Sequence, residues 1–384
     1  MKKILSRLSL ICYLVSAVYI TANASGTTSA EFLKLSPFPR NTAMGETGVA
    51  TPDISGSFYN PAGLAFLIQG EASFSHLAHF QDITYSHAAA AYPTQSGTFA
   101  GAVGSLNIPE FQGYDRTGNP SSNVSASDTK ISIMYANYLM GDAMSPVKIG
   151  AGIGTKFIIE TLSQKSANTA AFDVGFVYSS LVADMPLMAG LSVTNLGGSL
   201  KFNPQAEKSD PVPMIIRLGA LYSITLSQNP FNISLDAAIP QGDPTAIGLG
   251  LEYIIRNTLA ARFGYTTQAA PQEGMGIRFG FGVKLLGVEF DYAAAPMGEL
   301  GYSHRAAVTV KFGQQVVPYA VGMPSIIGTA AVDTTEMIFQ RGVKLYDEGR
   351  YPEAIIEFNK LLEKDPTNSK ALDYMKKASE KIKK

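Results

Sequence analysis

Tryptophan is absent from the 384 residues, and cysteine occurs once, at Cys12. A single cysteine excludes an internal disulfide framework. Charged residues make up only 16 % of the chain, against ~25 % in ordinary soluble domains. The net charge is −1, which excludes nucleic-acid or acidic-lipid binding through bulk electrostatics. Apart from the N-terminus, no stretch approaches the ~20 uninterrupted apolar residues of a transmembrane helix.

Enzyme chemistry is equally hard to find. There are four histidines. His76 and His79, three apart on one strand, face opposite ways and share no metal. His87 is isolated, and His304 suits a structural hydrogen bond beside Arg305. The glycines of Gly150-Ala151-Gly152-Ile153-Gly154 recur every second residue inside a strand, whereas a dinucleotide loop needs a third Gly at Thr155 and a following helix. Glu289 and Asp291 share a strand face but have no positioned partner for acid–base work. No catalytic residue, metal or cofactor is expected.

The first residues read as a secretory signal. Lys2, Lys3 and Arg7 form the basic end. Leu8–Ile20 is an apolar run of roughly 13 residues, and Ala22-Asn23-Ala24 is a small-residue cleavage site. A mature chain starting at Ser25 is therefore exported and free of thiols. That combination suits a protein held together by a large closed sheet.

What the chain has in abundance is alternation. In 276–284, Ile277, Phe279, Phe281 and Val283 share one face, opposed by Arg278, Gly280, Gly282 and Lys284. Val147–Phe157 repeats the pattern. A two-residue period marks a strand with two unlike surroundings. Between Gly70 and Gly313 about fourteen such segments follow one another, an even number, as in single-chain bacterial barrels. They centre near Ser73, Ala88, Ala102, Met134, Gly152, Phe176, Val193, Leu218, Leu235, Leu249, Arg262, Gly280, Phe290 and Val308. Tyr178, Tyr222, Tyr253 and Tyr265 end apolar faces as a membrane girdle requires. Asn107–Asp128 and Leu200–Pro213 read as long polar loops. A soluble sandwich is the alternative, but its solvated face should carry Lys, Glu and Thr rather than glycine.

The expected fold is therefore all-β and transmembrane: an antiparallel outer-membrane barrel of about fourteen strands over residues 70–313. Residues 1–24 are the signal peptide, 25–69 a turn-rich segment, 314–332 a linker and 333–384 a small α-helical module. Arg217, Arg262, Arg278, Glu289, Asp291 and Arg305 fall on the polar face and should line the lumen.

Two stretches carry a resemblance. Ala30–Phe66 includes Pro39-Arg40-Asn41-Thr42-Ala43-Met44-Gly45 and then Tyr59-Asn60-Pro61-Ala62-Gly63-Leu64. The end of the barrel reads Glu289-Phe290-Asp291-Tyr292, with Gly298-Glu299-Leu300-Gly301-Tyr302-Ser303-His304-Arg305. Together these resemble the PorV/PorQ family, relatives of FadL-type barrels. The resemblance implies a fourteen-stranded barrel whose segment 25–69 folds into the lumen as a hatch. Arg40, Met44, Gly45, Asn60, Pro61, Ala62 and Gly63 would then be hatch or gate residues. A hatch gives the inward glycines a reason: they leave it room. Arg217, Arg262 and Arg278 would pair with Asp and Glu or cap its carbonyls. Locally, Pro61 restricts Asn60 to extended geometry and Asn60 caps a helical turn.

Residues 333–384 resemble a tetratricopeptide unit, with Gly342, Gly349, Tyr351, Ala354, Phe358 and Pro366 at that motif's positions. Leu372, Met375, Ala378 and Ile382 would form the inner face of a capping helix. A single repeat is below the ~3 needed for independent stability, so docking on the barrel rim or on a periplasmic partner is expected.

The functional expectation is a non-enzymatic barrel in the outer membrane of a Gram-negative-type bacterium, surrounded by lipid. It would carry hydrophobic small molecules through the lumen. The alternative is a secretion or envelope-assembly component whose helical module recruits a partner. Phe279→Arg should be costly on the lipid face, and Gly280→Ser mild.

Overall fold

A computed structural model describes residues 27–142, 145–183, 185–203, 205, 207–267, 276–316, 334–365 and 368–382. The signal sequence with Cys12, most of the linker, and Pro366 lie outside the described residues. The chain divides into two compact units, and each is treated by itself.

The larger unit is a closed antiparallel barrel of fourteen strands. They are β1 (Gly70–Ala78), β2 (Thr84–Thr94), β3 (Gly97–Phe111), β4 (Val124–Met140), β5 (Lys148–Leu162), β6 (Lys165–Val182) and β7 (Met185–Leu196), then β8 (Ile215–Leu226), β9 (Asn229–Pro240), β10 (Ala246–Ile255), β11 (Leu259–Thr266), β12 (Ile277–Leu285), β13 (Val288–Pro296) and β14 (Tyr302–Phe312). Each of the fourteen expected centres falls inside one of these strands. Every strand pairs with its sequence neighbours, and β14 returns to β1 from Gly70↔Phe312 to Ala78↔His304. Closure leaves no free edge.

The barrel's two ends differ. Where β1 begins and β14 finishes, the connections are mostly tight turns, such as Ser227-Gln228 between β8 and β9. The opposite end carries 112–123, the described residues of 197–214, and Thr267 and Gly276, between which the connection lies outside the described residues. Short turns belong to the periplasmic side and long loops to the outside, so these are the inner and outer ends. The loop expected over 107–128 is shorter than predicted. β3 continues to Phe111 and β4 starts at Val124, because Leu106 pairs with Asp128 and Asn107 with Ser127.

The alternation has the expected sense. Ile153, Phe263, Phe279 and Phe281 point out of the wall, between 44 % and 60 % exposed, whereas Arg278 and Arg262 point in and are buried. Tyr178, Tyr222 and Tyr253 lie near the inner end, where Tyr92 stacks on Phe312 and Phe99 meets Tyr135. Tyr265 lies near the outer end. One expectation about histidine fails: His79 lies just past β1, in the turn to β2, not on the strand of His76.

The segment 27–69 occupies the barrel interior. It starts at the outer end, where Ser29 N donates to Pro211 O and Ala30 N to a Glu160 carboxylate oxygen. It then descends through 3₁₀ turns at Glu31–Lys34, Ile54–Ser57 and Pro61–Phe66 and a short helix, α1 (Pro39–Ala43), to β1 at the inner end. The wall meets it with glycine. A Cβ on Gly150 would lie 2.7 Å from the Phe66 ring, and one on Gly250 would lie 2.5 Å from Met44 O. Added Cβ atoms on Gly152, Gly190, Gly248 and Gly264 would overlap backbone atoms of Pro61, Val49 and Gly45. Gly280 is of this kind too, against Tyr292 O and Ala43 Cβ. The expectation that Gly280→Ser is mild is therefore wrong: this position faces packed backbone, not water.

The smaller unit has three helices, α2 (Thr334–Asp347), α3 (Tyr351–Lys364) and α4 (Ser369–Ile382). Ala354, Phe358, Leu361 and Ala371 are its buried centre. Gly342 allows the Phe358 ring to lie where its own Cβ would be, and Gly349 ends α2 with φ +76°. Tyr351 packs edge-on to Tyr346. Of the expected inner face of α4, Met375 and Ala378 face inward, Leu372 does not, and the Ile382 side chain lies outside those described. Ala371, Tyr374 and Met375 join the core and Ala378 is buried, whereas Leu372 is exposed. Tyr374 sets this phase, meeting Phe339, Tyr346 and Phe358 together.

Candidate functional site: the filled lumen

Three spaces follow one another through the barrel unit. The outer one, about 580 Å³, is a mouth cavity walled by Phe32, Phe80, Ile83, Leu106, Ile108 and Met297, with Arg278 and Arg305 among its polar lining. His79 also lines it, and its Nδ1 has no partner. Burial, with Arg305 nearby, pushes its imidazole down to about 4, so it is neutral at physiological pH. The second space shares Lys34, Glu46 and Thr266 with the first and shrinks to about 30 Å³ at Phe58, Tyr59 and Arg217. That is room for about one water. The third, about 300 Å³, lies toward the inner end and is lined by Arg40, Asp53, Glu71, Glu252, Arg262 and Lys311 among others.

The third space contains the firmest attachment of the inserted segment. Arg40 donates from Nη2 and Nε to the Glu252 carboxylate, at 2.6 and 2.9 Å, and from Nη1 to Asp53 at 2.5 Å. Glu252 also accepts from Arg262 Nε at 2.7 Å and from Asn232 Nδ2 at 2.7 Å. Arg262 extends the chain of charges to Asp291 and Glu289. Bidentate, buried pairing of this kind fixes position as well as charge. Asp53 in turn caps the Ile54–Ser57 turn through Ser55 N. On the wall, Glu71 accepts from Ile54 N at 3.0 Å and pairs with Lys311 at 2.6 Å.

Asn60 forms the second attachment. Its Oδ1 accepts from Ala62 N at 3.1 Å, which caps the turn begun by Pro61. Its Nδ2 donates to Val49 O at 2.8 Å and to Phe176 O of β6 at 3.1 Å. The same side chain thus folds the segment and ties it to the wall. Gly63 packs on Thr51 O, and Ala62 is buried. Gly45, at φ +72°, fits against Tyr265 O and Leu249 O, where a Cβ has no place. Met44 O accepts from Thr47 Oγ1 at 3.0 Å. On the opposite side Asp236 accepts from Gly48 N and Val49 N, at 2.6 and 2.9 Å.

The expected lumen-lining charges all point inward, but they do different things. Of the three arginines expected to pair with carboxylates or cap the segment's carbonyls, only Arg262 has carboxylate partners among the described residues. Arg278 donates to Ile277 O on its own strand, and its Nε has no partner. Arg217 donates to Thr194 Oγ1 and otherwise lies against the Phe58 and Tyr59 rings. Arg305 does the capping, from Nε to Ser36 O at 3.1 Å. The reason is the depth at which each carboxylate sits. Glu252 is opposite Arg262 in the β10–β11 ladder, whereas no acidic residue is opposite Arg278 or Arg217. His304 does bond structurally, to the Tyr292 hydroxyl at 2.7 Å. The sequence reading missed Glu252, Asp236, Asp53, Phe58 and Tyr59. Glu252 and Asp236 were visible as inward acids on alternating strands; the two aromatics carried no such signal.

No protein-family model matches the chain, and no curated protein matches it. Solved structures do. The barrel is similar to the Ralstonia pickettii toluene transporter TbuX, with a TM-score of 0.51 and 13 % identity over 73 % of this chain and 99 % of that one. It is similar to the deltaS2S3 mutant of the monoaromatic hydrocarbon channel TodX, with a TM-score of 0.50 and 14 % identity over 72 % and 99 %. A Pseudomonas aeruginosa FadL homologue also matches, with a TM-score of 0.42 and 10 % identity over 77 % and 99 %. The chain is an outer-membrane β-barrel with the fold of TbuX and TodX. At these identities the likeness concerns fold alone. The apolar outer belt, the closed wall and the short inner turns are the physical counterpart of that membrane setting.

Proposed function

We propose that the barrel carries hydrophobic small molecules across the outer membrane, entering through the mouth cavity and passing when the inserted segment yields. One observation carries this reading. A cavity of about 580 Å³, with Phe32, Phe80, Ile83, Leu106, Ile108 and Met297 on its wall and Asp128, Glu160, Arg278 and Arg305 among them, adjoins a neck of about 30 Å³ lined by Phe58 and Tyr59. A cavity of several hundred Å³ that offers apolar side chains with polar groups to orient a guest suits small organic ligands. The toluene transporter and the hydrocarbon channel with the same fold support the class of cargo. No catalytic role belongs to this reading.

Within it, Arg40, Met44, Gly45 and Asn60-Pro61-Ala62-Gly63 hold a hatch, and its displacement opens the path. Pairing a cysteine at Gly150 with one at Ala65 tests this, because a Cβ on Gly150 would lie 3.1 Å from Ala65 Cβ, near disulfide spacing. In cells bearing this double variant, uptake of labelled dodecanol is expected to stop on oxidation and return on reduction. Uptake unchanged by oxidation sinks the hatch, and uptake no greater than in cells lacking the barrel sinks transport.

The helical unit fits a docking role for a periplasmic protein, supported by its tetratricopeptide-like residues Gly342, Gly349, Tyr351, Ala354 and Phe358. The PorV/PorQ resemblance, with its secretion role, is supported by the two sequence stretches alone.

A further inference from the structure

The lipid-facing side of the wall is not the same all round. Counted from the inner hairpin turn, the outward pairs of β8 and β9 are Ile224–Phe231, Tyr222–Ile233, Ala220–Leu235, Leu218–Ala237 and Ile216–Ile239, apolar through five rows. The same count on β2 and β3 gives Tyr92–Phe99, Ala90–Gly101 and Ala88–Val103, and then Ser86–Ser105 and Thr84–Asn107. His76 on β1 continues the fourth row beside Ser86, and Thr129 on β4 continues it beside Ser105. Rows are two residues apart, about 7 Å along a strand, so an apolar band of ~25 Å takes about five rows on tilted strands. Over β1–β4 that band is two rows short.

Below the polar rows the same face is hollow. Ala72, Ala88, Ala90 and Gly101 floor a depression of about 560 Å³, with Val103 and Val308 on its rim. Phe74 stands beside it on β1, opposite Ala88 and 55 % exposed. A knob and a hollow thus lie side by side at one depth. In the rows above, His76 Nδ1 and Ser86 Oγ are 3.0 Å apart. Every side chain there, from His76 to Asn107 and Thr129, can both donate and accept a hydrogen bond, and none is Asp, Glu, Lys or Arg. Lipid tails offer such rows no hydrogen bonds. A second protein surface does, and small residues let it come close.

We propose that the outer face of β14, β1, β2 and β3 is the contact between two copies of this chain in the outer membrane. A two-fold axis between identical membrane proteins runs along the membrane normal, so each residue meets the other copy at its own depth. Such a contact has to be self-complementary row by row, and a row of one charge would repel itself. Uncharged groups that donate and accept meet that demand, and so does a knob next to a hollow. With the axis between β1 and β2, Phe74 of each copy enters the Ala88–Ala90–Gly101 hollow of the other. His76, Ser86 and Ser105 bond across the seam. The contact lies outside the lumen and is independent of the transport reading.

Single-molecule photobleaching of the full chain in phosphatidylethanolamine–phosphatidylglycerol vesicles counts the copies over a range of protein-to-lipid ratios. Two-step bleaching is expected to rise with density to a dimer plateau. Ala90→Phe fills the hollow with a residue that lipid accepts, and it is expected to raise the dissociation constant about tenfold or more by overpacking. Phe74→Ala, which removes the knob, is expected to act in the same direction. Leu218→Ala, on the far wall, is expected to change nothing. His76→Lys and His76→Glu are each expected to be monomeric, and a mixture of the two to pair again, because the axis brings residue 76 close to its own copy. Single-step bleaching at every density, as when the bilayer merely thins against the polar rows, overturns the proposal. A dimer that Ala90→Phe and Phe74→Ala leave intact overturns it equally. If the charged variants do not insert, these two apolar variants decide.

Discussion

The two units of this chain are built inside out relative to one another. In the barrel the wall turns Phe263, Phe279 and Ile153 outward and keeps Arg262, Glu252 and Asp291 inside. In the helical unit Phe358, Leu361 and Ala354 are inside, and Arg350 pairs with Glu353 in the open. The same amino acids therefore carry opposite meanings. The buried Glu252 and Arg262 of the barrel take part in the attachment of the inserted segment; an exposed charge on a helix is a solvated side chain. Glycine differs too. Gly342 makes room for a side chain, Phe358, whereas Gly152 and Gly248 make room for another stretch of backbone. Solvent sets these rules: lipid outside the barrel and water outside the helices.

The comparison breaks most severely if its charges are neutralised. Glu252→Gln leaves Arg40 and Arg262 without their shared carboxylate and should cost about 3–5 kcal/mol of barrel stability, the usual loss when one member of a buried pair goes. Thermal unfolding in detergent, with proteolytic release of residues 27–69 as a second readout, measures it. Phe279→Arg comes next, at ~2–4 kcal/mol if it sits near mid-bilayer, read as reduced folding into lipid vesicles. If it inserts normally, the outward face is assigned wrongly. Gly152→Ala should then cost about 1–3 kcal/mol by overpacking against Pro61, with a heat-labile rather than an unfolded barrel. Smallest of all is Glu353→Gln, where melting of the helical unit should not change measurably, because an exposed pair contributes little. A large effect there would mean that this pair is not solvated as the structure has it.

How much of this was legible beforehand follows from range. The fourteen strands were readable because each announces itself within about ten residues by a two-residue period. The attachment points were only half readable. Asn60 and Pro61 show a local cap, and Gly45 shows a positive φ, but that Asn60 also reaches Phe176 O depends on a residue 116 positions away. Likewise Arg217, Arg262 and Arg278 look alike on their strands. Only the shear of the barrel decides that Glu252 meets Arg262 and that Arg217 is left to two aromatic rings. Phe58 and Tyr59 could be read as filler, because no local pattern marks a ring that stands before a cation. The misplacement of Leu372 on α4, where Ala371 and Tyr374 face inward instead, has the same origin: a short helix with apolar residues on two sides takes its face from its neighbours, here three aromatic rings around Tyr374.

The path of residues 27–69, from Pro211 and Glu160 at one end of the barrel to Gly70 at the other, makes the wall and its filling one covalent piece. The segment runs directly into β1, and β1 pairs with β14, the strand farthest from it in the chain. The seam that closes the ring is thus also the root of what fills it: however the segment shifts, it stays leashed to the wall at the inner end.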